Sequence, residues 1–276
     1  MLSMIVYVIF ACGTKETQTI RTDSENINTQ DTEEIENTED SAVQVDTSEL
    51  DSETDTDTEE TEEPCPENMV LINQSFCIDK YEATLEENIN GSWQAASPYQ
   101  TIENREVRAV VSMGMVPQAH ISGEQAQAAC QESGKRLCSS EEWLRACQGA
   151  SGNVYPYGNS YWSGACNDHY NGHPLVNYYG TSEGIWDSAH MNNSGINQQS
   201  GTVSEGGAFL QCVSEDGVYD MHGNLHEWVE DPSGIFRGGF YADASINGEG
   251  CSYRTTAHGF GYFDYSTGFR CCAEVN

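Results

Sequence analysis

The pattern of apolar and polar positions divides the chain into three parts. Residues 4–11 form a short apolar run, residues 13–64 hold no aromatic side chain, and apolar clusters recur from residue 65 onward. All five tryptophans lie after residue 90. Because ordering a chain requires buried apolar surface to offset the lost entropy, we predict a folded domain over residues 65–276 and a disordered segment before it.

Two helices are predicted by apolar spacing and by the residues at their ends. Ser122 with Gln125, and Ser139 with Glu142, have the spacing of a capping box, in which each side chain satisfies a free main-chain amide. The two helices should end at Gly134 and Gly149. The positions expected to face the core are Ala126, Ala129 and Cys130 in the first helix and Trp143, Leu144 and Cys147 in the second.

Short strands and loops account for the rest of the domain. Residues 69–72 and 76–78 are apolar runs separated by a turn, which predicts a hairpin. Residues 151–206 are rich in Gly, Asn, Ser and Tyr without clear periodicity, which is typical of a long loop. Further short strands are predicted over residues 209–213, 236–240 and 269–272. We therefore predict an α+β domain with two helices, short twisted sheets and much irregular loop.

The charge is strongly acidic and unevenly distributed. The chain has 44 acidic and 11 basic residues, a formal net charge of −33. Nucleic-acid binding is disfavoured, because phosphate contacts need clustered Lys and Arg. Residues 13–64 hold 19 Asp or Glu against two Lys or Arg, in low-complexity runs with Ser and Thr. Charge repulsion predicts an extended, disordered acidic tether, longer than the ~40 Å of a neutral flexible coil. Calcium buffering by the acidic runs is a second interpretation.

The apolar run at residues 4–11 is too short to cross a bilayer, which takes about 20 residues, so it fits the core of a signal peptide. Residues 9–12 resemble a bacterial lipobox, whose cysteine is lipidated and becomes the mature N-terminus. We predict a signal peptide over residues 1–12 with Cys12 as the lipidation site; an ordinary signal peptide is the alternative. The protein would then lie in the bacterial cell envelope, outside the cytoplasm, as an outer-membrane lipoprotein that contacts the membrane only through its lipid.

Cysteine usage points to the same compartment. Ten of the eleven cysteines lie in residues 65–276, and an even number in an exported domain is typical of a disulfide framework. A zinc site is the alternative, and it is disfavoured because paired Cys-x-x-Cys motifs do not occur. The count alone leaves the connectivity open.

Six blocks of sequence in a fixed order carry a family resemblance. The blocks are Met69–Thr84, Gln125–Trp143, Tyr155–Gly158, Gly223–Trp228, Arg237–Gly239 and Gly268–Arg270. In this order they resemble the formylglycine-generating enzyme (sulfatase-modifying factor) family, from Asn68 to Glu274. The resemblance implies a C-type-lectin-like fold. It also implies descent from oxidases that convert a cysteine of sulfatases to formylglycine.

Most residues of these blocks also have a purely structural interpretation. Trp143 and Trp228 are large apolar plates for a core that is short of regular structure. Three arginines are predicted to be buried and to pair with Glu142, Glu227 or main-chain carbonyls. They are Arg136, Arg237 and Arg270.

The resemblance bears directly on copper. The family's oxidases bind copper(I) through two cysteines five residues apart, just before a Tyr-Arg motif, and thiolates suit that soft ion. Aligning Tyr253 and Arg254 with this motif puts the second ligand at Gly250, and the nearby Cys251 is the only thiol in the stretch. Copper binding is therefore not expected. Cys251 is the candidate catalytic residue only if the chain is an enzyme.

Disulfide pairs are also implied by the resemblance. The family ties its first helix to its last strand through cysteines that match Cys130 and Cys271. The family partner of Cys147 falls at Thr255, so Cys147 must bond elsewhere, and Cys251 is the nearest candidate.

A calcium site is implied as well. The family's enzymes hold calcium with Asn side chains and loop carbonyls, and Asn167 and Asn224 match those positions. The alternative is that each Asn only stabilises its own turn.

Two functions from different classes follow. The first is a surface binding or structural module whose partner is an extracytoplasmic protein, peptide or glycan. Its predicted ligand surface is aromatic, although some of these rings could fill gaps in a loop-rich core. These residues are Tyr157, Trp162, Tyr179 and Trp186. The second function is an active formylglycine-generating oxidase, which needs a reduced Cys251 and a second thiol. The sequence favours the module.

Overall fold

The computed structural model describes residues 63–276. The predicted signal peptide, Cys12 and the tether up to residue 62 lie outside the described residues. Within residues 63–276, no helix combines the length and the apolar composition needed to span a bilayer.

Helices and short strands alternate along the described chain. The α-helices are α1 (Gly123–Glu132), α2 (Ser140–Gln148), α3 (Pro174–Tyr179) and α4 (Ser188–Met191), with 3-10 helices at Ile196–Gln198 and Gly250–Ser252. The first six strands are β1 (Met69–Ile72), β2 (Phe76–Asp79), β3 (Thr84–Ile89), β4 (Ser92–Ala95), β5 (Val107–Val110) and β6 (Arg136–Leu137). The last five are β7 (His226–Trp228), β8 (Phe236–Arg237), β9 (Arg254–Thr255), β10 (Thr267–Phe269) and β11 (Cys271–Ala273).

The strands form three small sheets. Their orders are β1-β2-β11-β6, β10-β7-β8-β9 and β4-β3-β5. All neighbouring strands are antiparallel except β10 and β7, which run parallel. The predicted hairpin is confirmed as β1 and β2, with Ile72 opposite Phe76. The third sheet was not predicted, because β3 and β4 are mostly polar and carry no clear apolar alternation.

The two predicted helices are confirmed with their caps. Ser122 and Ser139 each accept a hydrogen bond from the amide three residues on, and the side chains of Gln125 and Glu142 accept one from the capping residue. These reciprocal bonds satisfy amides that would otherwise be free at the start of each helix. The predicted inner faces are buried, except that Leu144 is only partly covered.

Residues 151–206 contain more structure than a long loop. They hold α3, α4 and the 3-10 helix Ile196–Gln198, so the described chain has four α-helices rather than two. Helices of six and four residues are too short for an apolar period to show in the sequence. The strand predicted over residues 209–213 is wrong, since only Val213 forms an isolated bridge.

Five disulfides tie these elements together and use all ten cysteines of residues 65–276. The pairs are Cys65–Cys77, Cys130–Cys271, Cys138–Cys272, Cys147–Cys251 and Cys166–Cys212. Adjacent side chains on a strand point to opposite faces, so β11 is joined to α1 through Cys271 and to the residue before the α2 cap through Cys272. Disulfides in this number are consistent with a protein outside the cytoplasm.

A fully buried arginine lies at the junction of the first two sheets. Arg270 donates from Nε and Nη2 to the two carboxylate oxygens of Glu227, at 2.5 and 2.7 Å. Glu227 and Glu142 were the carboxylates predicted to pair with this set of arginines, and Arg136 pairs with Glu142, although Arg136 is only partly buried. Arg237 was expected to pair with a carboxylate or a main-chain carbonyl, but its Nε donates to the Ser140 hydroxyl and its guanidinium lies 5.9 Å from the centre of the Trp143 ring.

Two further acids, Glu82 and Asp220, are buried near the Arg270–Glu227 pair. Burial raises the pKa of Asp220 to about 7 and the pKa of Glu82 well above its usual range. The charge of Glu227 raises both pKa values further, whereas the charge of Arg270 lowers them. One guanidinium therefore cannot hold all three carboxyl groups fully ionised at neutral pH.

Replacing Asp220 by Asn is expected to change how stability depends on pH. Because the folded pKa of about 7 lies above the ordinary 3.8, folding takes up a proton between these values, so this group makes the protein less stable as pH rises. The slope for one proton is about 1.4 kcal/mol per pH unit. Chemical unfolding across this range should show Asp220→Asn gaining stability relative to the wild type as pH increases. A difference that stays constant with pH would contradict this.

Candidate functional site

A cleft of about 270 Å³ opens between three loops that are distant in sequence. Its lining residues are Tyr155, Tyr161, Asp168, His169, His222, Ala244, Ser245, Glu249 and Gly250. Two of the loops are joined behind the cleft, where the Cys251 amide donates to the Val154 carbonyl at 2.8 Å. The disulfide Cys147–Cys251 links the same point covalently to α2.

The positions that the resemblance assigns to copper lie in this cleft. The second ligand falls at Gly250, and Ser245 stands five residues before it; both residues line the cleft. Neither carries sulfur, and Cys251 is fully buried and bonded to Cys147. Copper(I) needs soft sulfur ligands. The residues present here therefore do not fit the family's copper centre.

Gly250 could not be exchanged for cysteine without local rearrangement. Its φ of 55° lies in the left-handed region that favours glycine. A Cβ atom at this position would collide with the carbonyl oxygen of Val154. The main-chain conformation at this position therefore disfavours any side chain that could bind a metal.

A buried histidine–aspartate pair forms the floor of the cleft. His222 Nε2 lies 3.2 Å from Asp168 Oδ2, and the two side chains are only 3% and 4% exposed. The second carboxylate oxygen of Asp168 and Nδ1 of His222 have no hydrogen-bond partner in the described chain. Within residues 63–276, no group of three or more His, Cys, Asp or Glu is arranged to hold a metal ion.

Tyrosines form one wall of the cleft. The Tyr155 ring lies 5.3 Å from the parallel Tyr157 ring and 5.8 Å from the tilted Tyr161 ring, measured between centroids. The Tyr155 hydroxyl donates to Glu249 Oε1 at 3.0 Å. Burial, together with this carboxylate, raises the pKa of Tyr155 to about 12, so the hydroxyl keeps its proton at neutral pH. Burial and the charge of Asp168 likewise raise the pKa of Tyr161.

The predicted ligand surface divides into two places. Tyr157 and Trp162 pack edge to face beside the cleft, and the Trp162 indole is 55% exposed. Trp186 instead packs on His173 and lines a different cavity, with Met191, Tyr262 and Phe263 among its other lining residues. Tyr179 is partly buried, and its hydroxyl donates to the His190 carbonyl. None of the four residues lines the cleft itself, and the first pair is joined to it through the stacking of Tyr157 on Tyr155.

The predicted calcium residues meet directly behind the cleft floor. Asn167 Nδ2 donates to Asn224 Oδ1 at 2.9 Å, and the same oxygen accepts from the Ser204 amide and hydroxyl. Asn224 Nδ2 donates to Glu82. The Asn224 oxygen thus has three donors, from residues 20 and 57 positions away, so these side chains link separate loops instead of stabilising their own turns. The calcium site stays a prediction.

Two acids of the cleft were missed at the level of sequence. Asp168 lies next to Asn167, which was considered, but its partner His222 is 54 residues away, so no local motif connects them. Glu249 lies in a loop without periodicity. A charge pattern could not have separated either acid from the many others in this chain.

Comparison with known proteins decides the family. The sequence profile described as "Sulfatase-modifying factor enzyme 1-like domain" matches residues 28–275, which is most of the chain. The chain belongs to this family. Its α+β architecture, with short sheets, four helices and five disulfides in the described residues, is the C-type-lectin-like fold of the sulfatase-modifying factor family.

Individual relatives of this family member are distant. A Bos taurus protein named "Inactive C-alpha-formylglycine-generating enzyme 2" is 30% identical over 114 residues, which cover 41% of this chain and 32% of that protein. The structure of PvdO from Pseudomonas aeruginosa is 17% identical over 72% of this chain and 80% of its own, with a TM-score of 0.44. The U1 variant of the Major Tropism Determinant is 16% identical over 76% and 53%, with a TM-score of 0.41.

Proposed function

We propose that this member of the sulfatase-modifying factor family is an exported, lipid-anchored binding module that has lost the copper oxidase centre. The observation that carries the proposal is the state of Cys251. It is the only cysteine in residues 245–256, and its sulfur is bonded to Cys147. A disulfide sulfur cannot act as a thiolate ligand or as a nucleophile.

The surroundings of Cys251 support the same conclusion. Ser245 and Gly250 stand where the family resemblance places the two thiolates, and the main chain at Gly250 leaves no room for a side chain. The cleft nevertheless persists, with aromatic and acidic residues on its walls. A cleft that is kept without its sulfur ligands fits recognition better than oxidation. A distant bovine relative is itself named inactive.

Export and anchoring rest on the sequence before the domain and on the disulfides. The apolar run that ends at Cys12 supports lipidation, and the acidic segment that follows would hold the domain away from the membrane surface. Five disulfides support a compartment outside the cytoplasm. The expected partner is an extracytoplasmic protein, peptide or glycan, and the expected location is the outer membrane.

Two measurements on the purified protein test the proposal. Thiol alkylation under denaturing conditions without reductant should label none of the ten cysteines in residues 65–276. Incubation with copper(I), oxygen and a sulfatase-derived cysteine peptide should form no aldehyde on the peptide. The alternative function, a formylglycine-generating oxidase, predicts a free Cys251 and a peptide that loses its thiol to become an aldehyde. Either result would overturn the proposal.

A further inference from the structure

The floor of the cleft holds hydrogen-bonding capacity that the protein does not use. Asp168 and His222 are joined through Oδ2 and Nε2, while Asp168 Oδ1 and His222 Nδ1 have no partner among the described residues. A buried polar atom without a partner costs free energy on the order of 1–3 kcal/mol. Two such atoms on adjacent side chains in one cleft indicate a site built for something that binds there.

The unused carboxylate oxygen is an acceptor. A carboxylate can only accept, so Nε2 of His222 carries the hydrogen that is donated to Asp168 Oδ2. Asp168 Oδ1 keeps its capacity to accept a further hydrogen bond. A ligand that satisfies this oxygen must bring a hydrogen-bond donor.

The charge of the cleft selects the kind of donor. Asp168 and Glu249 both line it, and none of its lining residues is Lys or Arg. Residues 65–276 as a whole carry 25 acidic and nine basic residues. A cation that enters the cleft is attracted by both carboxylates, and no lysine or arginine of the lining competes with it. The donor is therefore expected to be positively charged.

The aromatic wall favours the same ligand. Tyr155 and Tyr161 line the cleft, and a cation within about 6 Å of such a ring face is attracted by it. The Tyr155 hydroxyl is already bonded to Glu249, which fixes the ring and the acid relative to each other. The cleft volume of about 270 Å³ lies at the lower end for small-molecule sites, so the ligand is of the size of one side chain.

We propose that this cleft binds an alkylammonium or guanidinium group, and that the carboxylates of Asp168 and Glu249 accept its N–H donors. The inference rests on the proposed function, because it takes the cleft to be a recognition site instead of an oxidase centre. The group can come from a lysine or arginine side chain of a peptide or from a free alkylamine. The chemistry is the same for both sources, and the experiment separates them.

Calorimetric titration of the full chain tests the assignment with matched probes. N-acetyl-arginine methylamide and N-acetyl-lysine methylamide represent peptide side chains, and butylamine represents a free amine. N-acetyl-citrulline methylamide is the neutral control of nearly the same shape as the arginine probe. We expect the cationic side-chain probe to bind at least ten times more tightly than citrulline. If butylamine binds as tightly as the lysine probe, the site is assigned to free amines. If butylamine binds more weakly than the lysine probe, the site is assigned to peptide side chains.

Three variants locate the binding. Asp168→Asn keeps the shape but removes the charge and should weaken the cationic probe at least tenfold. Glu249→Gln changes an exposed residue, so it should fold normally, and we expect a loss of about threefold. Glu183→Gln is the matched control, because Glu183 is also exposed but does not line the cleft. Its affinity should be unchanged.

Three outcomes would overturn the assignment: no binding of any cationic probe, equal binding of arginine and citrulline probes, or equal losses in Glu249→Gln and Glu183→Gln. If Asp168→Asn fails to fold, the affinities of Glu249→Gln and Glu183→Gln for the cationic probe still test the assignment. These outcomes leave the proposed loss of the copper centre untouched. Oxidation of a cysteine peptide by the protein would instead remove the proposed function itself.

Discussion

Replacing all four cysteines of the Cys130–Cys271 and Cys138–Cys272 bridges by alanine is expected to lower the free energy of unfolding by about 6 kcal/mol. One bridge starts at Cys130 in α1 and the other at Cys138, just before α2. They end at adjacent residues of β11. While either is present, the other closes only a ring of roughly ten residues, worth about 2–3 kcal/mol. When both are removed, the Cys147–Cys251 bridge is the nearest one left. The second bridge to be removed had closed a ring of roughly 30 residues with it, so its loss costs about 3–4 kcal/mol more.

The two single-bridge variants are the controls for this experiment. Each should lose only about 2–3 kcal/mol, although Cys130 and Cys271 are 141 residues apart. Since typical domains are stable by about 5–15 kcal/mol, the double variant should lose a large part of its stability and unfold at a much lower urea concentration than either single variant. Urea unfolding followed by tryptophan fluorescence, without reductant, measures all three. A single variant as damaged as the double variant would contradict the arrangement of nested rings.

Arg270→Met is expected to lower the free energy of unfolding by about 3–5 kcal/mol. Methionine fills most of the space but leaves the Glu227 carboxylate buried without its cation. It also removes the donors to the carbonyls of Asp79 and Tyr219. The damage should be greatest at neutral pH, because the neighbouring acids then tend to ionise without a nearby positive charge.

The control for Arg270 is Arg145→Met. Arg145 pairs with Asp216 near the surface, where both side chains remain partly exposed, so its loss should cost less than about 1 kcal/mol. Urea unfolding at pH 5 and pH 8 gives the comparison. A loss in Arg270→Met that is as small as in Arg145→Met would contradict the importance of the buried pair. So would a loss that is larger at pH 5 than at pH 8.

The parts of the fold that could be predicted depend on local rules. Capping boxes at Ser122 and Ser139 act within one turn, and the hairpin of β1 and β2 follows from two short apolar runs. The strands β3 and β4 are mostly polar, but the Asn90-Gly91 turn between them, with positive φ at both residues, is a local hairpin signal that their apolar pattern does not show. The short helices α3 and α4 have no such local pattern, and they pack against residues distant in the chain, which a single sequence does not display.

Of the candidate site, only the absence of a second thiol could be predicted from the sequence. The absence of a second thiol near Cys251 can be read from residues 245–256 alone. The floor of the cleft could not be foreseen, because Asp168 and His222 are brought together by a fold in which they are 54 residues apart. The aromatic residues Tyr157 and Trp162 were identified by composition, but composition could not separate them from Trp186, which lies at another cavity.

The most direct test of the central claim is a titration of the native, oxidised protein with copper(I) in competition with a colorimetric chelator. With Ser245 and Gly250 in the cleft and Cys251 bonded to Cys147, the chelator should retain all of the copper. Binding of one copper(I) per chain that disappears in Cys251→Ser would contradict the account.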